Sequence, residues 1–143
     1  CHEQGGSLLF TVVSIKQMHA GHAKRVGLAA DAVAHLKTRY TIVVDDDIDA
    51  RDWKDVMWAI ATRMDPARDV TVIENTPIDY LDFASAESSL GSKIGLDATN
   101  KWPPETKREW GNPIRMDDET IRTVSEKWPR LGLPGSGKPI WRS

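Results

Sequence analysis

Cysteine is almost absent from this 143-residue chain. The single one is Cys1, so no internal disulfide can form and no cysteine cluster can hold zinc. That usage fits a reducing compartment. Long apolar runs are missing as well: the longest apolar-rich stretch covers residues 8–15, far short of the roughly 20 residues needed to cross a bilayer, and no basic-then-apolar leader precedes it. Neither charge is in excess. Nineteen Lys and Arg against 21 Asp and Glu leave a formal −2, which supplies no positive field for a phosphate backbone and argues against nucleic acid as a partner. Phe and Tyr are scarce, two of each, yet Trp occurs six times. The remaining composition, 40 % hydrophobic and 28 % charged, is that of one globular domain with room for a core of its own.

The pattern along the chain is α/β. Residues 8–15 form a continuous apolar, β-branched run expected of a strand buried on both faces. After Gly21, Ala23, Val26, Ala30, Val33 and Ala34 recur at helical spacing, predicting a helix over 22–36. Residues 40–44 (YTIVV) read as a second buried strand, so strand, helix and strand suggest a parallel crossover. Asp49 or Asp52 caps a second helix over 53–64, with Trp53, Val56, Met57, Ile60 and Met64 as its inward stripe and Pro66 as its end. Residues 69–73 alternate like a third strand. From Asn75 to Pro113 periodicity disappears, and a loop of that length is usually functional or an interface arm. A last helix is expected from a cap at Asp117 through Trp128, with Ile121, Val124 and Trp128 on one face. These elements predict a layered α/β/α domain with a mixed or parallel sheet, a long irregular arm and a C-terminal helix. Residues 1–7 read as a disordered or artificial start, 8–132 as the domain and 133–143 as a flexible tail. The ragged beginning without Met suggests a piece of a longer protein.

The sharpest chemical feature is the acidic run Asp45, Asp46 and Asp47 at the end of the second strand. Carboxyl ends of strands face the ligand crevice in open α/β sheets, so these carboxylates could hold Mg²⁺ and support a stand-alone phosphotransfer or phosphohydrolase domain. Against that, the run can supply helix caps, turn hydrogen bonds and favourable charge at the positive end of the next helix. No lysine or serine phosphate motif accompanies it, which favours the structural reading. His19 and His22 lie three apart, but Gly21 interrupts the helical geometry and two ligands are too few for structural zinc. The glycines of 91–95 (GSKIG) lack nucleotide-turn spacing, leaving a backbone turn as their default. Trp102 and Trp110 sit in the irregular arm among prolines, where docking on another surface and folding back as a lid are both open.

Several long motifs, taken in order, point to one family. Residues 43–70 (VVDDDIDARDWKDVMWAIATRMDPARDV), 74–85 (ENTPIDYLDFAS) and 91–102 (GSKIGLDATNKW), then REWG at 108–111, closely resemble the carboxy-terminal region of UbiD-type decarboxylases. SIKQ at 14–17 and GHAK at 21–24 are similar to the same family's entry into that region. The resemblance is greatest to the 3-octaprenyl-4-hydroxybenzoate carboxy-lyases of ubiquinone biosynthesis, and spans about residues 10–132. It implies a non-oxidative decarboxylase using prenylated FMN with manganese and potassium, assembled as a dimer or hexamer. It also implies that the flavin, metal and catalytic ligands lie upstream, so no catalytic, cofactor-binding or metal residue is carried over to this chain. The region itself would wall the substrate site and supply oligomer contacts, or serve as an oligomerisation module alone. Its partner would be the upstream flavin-binding domain, in the cytoplasm, with a lipid-tailed substrate as the option for contact with a membrane.

Overall fold

The computed structural model describes residues 9–34 and 38–135. The start at 1–7, and the tail beyond residue 135, therefore lie outside the described residues. Two compact units are present, one ending at Glu109 and the other beginning at Trp110; the family-like span expected over 8–132 extends across both.

The first unit is built on a four-stranded mixed sheet. Its elements are β1 (Phe10–Ile15), α1 (His22–Val33), β2 (Tyr40–Asp45), α2 (Trp53–Arg63), the single turn α3 (Pro66–Asp69), β3 (Val70–Pro77) and β4 (Leu90–Ala98). Strand order is β1-β2-β4-β3. β1 and β4 both run parallel to β2, while β3 is antiparallel to β4. The α/β expectation holds, with a mixed sheet.

The period of two along β2 sorts its side chains between two layers. Ile42 and Val44 point to one face, where they form the core with Ile48, Val56, Ala59 and Ala98, flanked by Phe10, Val12, Trp53 and Leu96. Phe10 stacks on Tyr40 at 4.3 Å between ring centroids and meets Trp53 edge-on at 5.9 Å. Thr41 and Val43 alternate to the other face, which α1 covers. That helix comes close because its inward stripe is small: Ala23 and Gly27, then Asp31. A Cβ on Gly27 would sit 3.5 Å from Val43 Cγ2. The Thr41 hydroxyl donates to the buried Asp31 carboxylate, satisfying both.

Several expectations need correction. β1 is an edge strand and only half buried, because among the described residues no strand pairs with its outer side. Val33, placed inward by periodicity, is 77 % exposed, since the stripe Ala23-Gly27-Asp31 faces the sheet instead; residues 35–37 lie outside the described ones. On α2, Trp53, Val56, Ile60 and Met64 pack on the core as expected, joined by the buried Ala59 and Arg63, while Met57 faces water. The largest error is β4. Residues 90–98 (LGSKIGLDA) are not irregular arm but an inner strand between β2 and β3, and the GSKIG segment is extended ladder rather than a turn. Burial in the middle of the sheet overrides the weak strand propensity of Gly, Ser, Lys and Asp. β3 likewise runs on to Pro77, with its register shifting between Ile73 and Thr76.

In the second unit, Asp117 caps α4 (Asp118–Lys127) as expected, its carboxylate accepting from the Thr120 N–H at 2.8 Å. Trp128 begins a 3₁₀ turn, Trp128–Arg130.

Ile42→Ala should cost about 2–5 kcal/mol, the range for large-to-small changes in a packed core. Met57→Ala should stay within about 0.5 kcal/mol, as for surface positions. Urea denaturation of the two variants checks both, and a large loss at Met57 would return that residue to the core.

Candidate functional site

All three parallel strands end at one edge, and two clusters of paired, largely buried charges lie there. β2 ends on Asp45, and Arg63 arrives from the last turn of α2. Its guanidinium donates to Asp45 Oδ2 at 3.1 Å and grips Asp47 with two bonds, 2.9 Å to Oδ1 and 2.8 Å to Oδ2. Arg63 is 4 % exposed and Asp45 5 %. A buried charge needs such partners, because desolvation is otherwise prohibitive. The guanidinium carbon also lies 5.2 Å from the Trp58 ring centroid. Burial raises the Asp45 carboxyl above the ordinary range, with Asp47 and Asp46 adding to the rise; the Asn100 N–H and Arg63 oppose it.

This revises the reading of the acidic run. Asp45 and Asp47 do not cap α2; they hold Arg63. The cap is Asp52, which accepts from the Lys54 N–H at 2.9 Å. Asp49 does make a local turn, accepting from the Arg51 N–H at 2.8 Å. Carboxylates engaged by an arginine are poorly placed as Mg²⁺ ligands, and among the described residues no three His, Cys, Asp or Glu group to hold a metal ion.

A second ionic array, which sequence reasoning missed, adjoins the first on the same edge. Lys101, with a fully buried side chain, places Nζ 2.8 Å from Asp97 Oδ1 and 3.3 Å from Asp69 Oδ1. Arg68 donates to Asp69 through Nε and Nη2, both at 2.7 Å. Burial pushes the Asp69 carboxyl up. The bonds from Arg68 and from the Asp65 N–H, with the charges of Lys101 and Arg68, outweigh burial and hold it below the usual carboxylate range.

The loop after β4 is strapped across the edge by these groups. The Asn100 N–H donates to Asp45 Oδ2 at 2.6 Å, and Asp97 Oδ1 accepts from the Thr99 N–H and hydroxyl. Glu105 spans the gap to the β1–α1 turn: Oε1 accepts from the Gly21 N–H at 2.7 Å and Oε2 from the Trp102 N–H at 2.9 Å. Gly21 adopts φ 74°, a left-handed conformation suited to glycine. His19 and His22 come together in that turn, ring centroids 4.9 Å apart, and His22 Nδ1 accepts from the Met18 N–H. Their bonds are to local backbone, as a turn role requires. Trp102 projects from the strap, 41 % exposed; Trp110 is half buried in the second unit. Beside the turn, both polar atoms of the Gln17 carboxamide are closed to solvent and meet no hydrogen-bonding partner. Chemically, this edge is a scaffold of matched charges that fixes one loop over the strand ends.

Removing Arg63 leaves two carboxylates facing each other, so Arg63→Ala should cost about 3–5 kcal/mol in chemical denaturation. The depressed Asp69 carboxyl gives a pH test. Its contribution is complete above the unfolded carboxylate pKa of about 4 and is lost as pH falls through the lower folded value. Asp69→Asn should therefore flatten the acid limb of the stability curve below about pH 4; an unchanged limb would count against the pairing.

The family model of the 3-octaprenyl-4-hydroxybenzoate carboxy-lyase C-terminal domain matches residues 1–98. Solved structures agree. The vanillic acid decarboxylase of Sedimentibacter hydroxybenzoicus, in closed form, is 30 % identical with a TM-score of 0.74, over 85 % of this chain and 26 % of that one. The UbiD-class enzyme HmfF from Pelotomaculum thermopropionicum, in complex with FMN, is 31 % identical with a TM-score of 0.64, over 76 % of this chain and 24 % of that one. An evolved dimeric form of HmfF with prFMN is 32 % identical, with a TM-score of 0.54, over 73 % of this chain and 21 % of that one. This chain thus spans about a quarter of the length of these enzymes. The family match over residues 1–98 makes this chain a member of the UbiD family of carboxy-lyases, corresponding to their C-terminal domain.

Proposed function

We propose that this chain is the assembly and substrate-side portion of a prenylated-FMN-dependent, non-oxidative decarboxylase. The observation that carries this reading is the family match over residues 1–98, joined to relatives in complex with FMN or prFMN of which this chain covers only 24 % and 21 %. Its substrate is a 3-polyprenyl-4-hydroxybenzoate of ubiquinone biosynthesis; the name of the matching family model supports that choice, while one relative acts on vanillic acid. The reading places the enzyme in the cytoplasm, with the lipid tail of the substrate drawing it to the membrane. No helix among the described residues is long and apolar enough to cross a membrane.

The residues at the carboxyl edge do not fit a flavin phosphate. Arg63, Arg68 and Lys101 each already face a carboxylate. The flavin, with manganese and potassium, accordingly belongs to the portion of the enzyme that precedes this domain, and it carries the carbon–carbon cleavage when bound. The work of this chain is to present a rigid α/β layer to that portion and to neighbouring subunits of a dimer or hexamer, Trp102 being an exposed aromatic anchor for the latter.

Purified residues 1–143 should carry no flavin absorbance and release no CO₂ from 3-polyprenyl-4-hydroxybenzoate, whereas a polypeptide extended by the upstream portion should do both. Stoichiometric flavin on the 143-residue chain would overturn the assignment. Trp102→Ala should move the extended enzyme toward smaller assemblies in sedimentation.

A further inference from the structure

The β3–β4 hairpin extends past the amino-terminal edge of the sheet. β2 begins at Tyr40, opposite Ile94, so residues 90–93 of β4 project beyond it, where β3 is their neighbouring strand among the described residues. The connecting loop, 78–89, carries three large side chains into water: Tyr80 at 69 % exposure, Leu81 at 61 % and Phe83 at 90 %. An isolated exposed residue is unremarkable, but three within four positions make a patch.

The loop holding them is not loose. Ile78 is buried at its base, packed so closely that a Cβ on Gly91 would lie 2.9 Å from Ile78 Cδ1. Asp79 accepts from the Leu81 N–H at 3.0 Å, and the Ser85 hydroxyl lies 2.8 Å from the Asp82 carbonyl. Asp82 forms a largely buried ion pair with Arg39. That pair pins the patch beside the point where the chain enters the sheet, because the Arg39 and Tyr40 N–H groups both donate to the Leu9 carbonyl, at 3.0 and 2.9 Å. A groove of about 480 Å³, lined by Arg39, Tyr40, Val72, Leu90 and Ile94, lies along the same edge. The apolar side chains are thus fixed outward before any partner arrives, which lowers the ordering cost of binding.

We propose that this hairpin tip is the seat of the portion of the enzyme that precedes this domain in the same polypeptide. The inference rests on the reading above, and two observations select this occupant. The family model is that of a C-terminal domain, and this chain covers only 26 % of a relative's chain, so the relative carries most of its polypeptide upstream. That polypeptide reaches the sheet at Leu9, alongside the Arg39–Asp82 pair.

Hydroxyl-radical footprinting of the upstream-extended polypeptide against residues 1–143 tests this. Tyr80 and Phe83 should be labelled at least five-fold less in the extended chain, at dilutions where sedimentation reports single copies. Leu81→Ser with Phe83→Ser should lower the melting temperature of the extended chain and leave that of residues 1–143 unchanged; Met57→Ala, on an unrelated exposed face, should affect neither. Equal labelling in both chains would overturn the proposal. So would protection that appears only as concentration rises, since a second copy would then be the occupant. An extended chain that shows the footprint but binds no flavin would sink the decarboxylase reading and leave the seat standing.

Discussion

Arg63 can enter the low-dielectric end of the sheet only because Asp45 and Asp47 meet it there. The clamp joins three pieces of structure that have no covalent reason to stay together. Arg63 closes α2, Asp45 closes β2, and the same Asp45 carboxylate takes the backbone N–H of Asn100 just past β4. Geometry at this edge depends on that pairing in one direction. Replacing the whole arrangement with apolar groups could be tolerated, but deleting one member strands a buried charge. The Lys101, Asp97, Asp69 and Arg68 array repeats the device beside it, so the strand ends are held by matched charges while the middle of the sheet is held by Ile42, Val44 and their apolar neighbours.

What could be read from the sequence followed from how local the cause was. β2 was legible because Thr-Ile-Val-Val satisfies strand propensity and burial at once, and Asp52 and Asp117 because capping is settled within three residues. β4 was not, since its Gly91, Lys93, Gly95 and Asp97 argue against a strand until β2 and β3 flank them. The acidic run stood out, yet its purpose depends on an arginine 16 to 18 positions away. Val33 and Met57 fit the helical period yet face outward, because the close approach of α1 calls for Ala23 and Gly27, and α2 centres its inward face on Val56, Ala59 and Arg63 with Trp53, Ile60 and Met64 beside them. The family motifs carried further than any of these, since they integrate tertiary constraints that a single element does not display.

Fold and function separate clearly in this chain. An α/β layer of this kind is compatible with many chemistries, and its most charged edge engages its carboxylates with its own cations. The family match ties the chain to carboxy-lyases, while the geometry describes a piece built to hold its shape against something larger. An exposed apolar hairpin tip at one edge and a fixed loop at the other give it two opposed surfaces.

Glu105 has a consequence for the order of assembly. Its carboxylate bridges Gly21 and Trp102, and the first of these contacts closes 84 residues of chain. Closing so large a loop is entropically unfavourable until the intervening strands have already paired. The bridge therefore forms after the sheet rather than guiding it. Hydrogen exchange at the Gly21 and Trp102 N–H groups, the two that Glu105 holds, therefore reports closure of this bridge separately from the buried clamp that keeps Thr99, Asn100 and Lys101 in place.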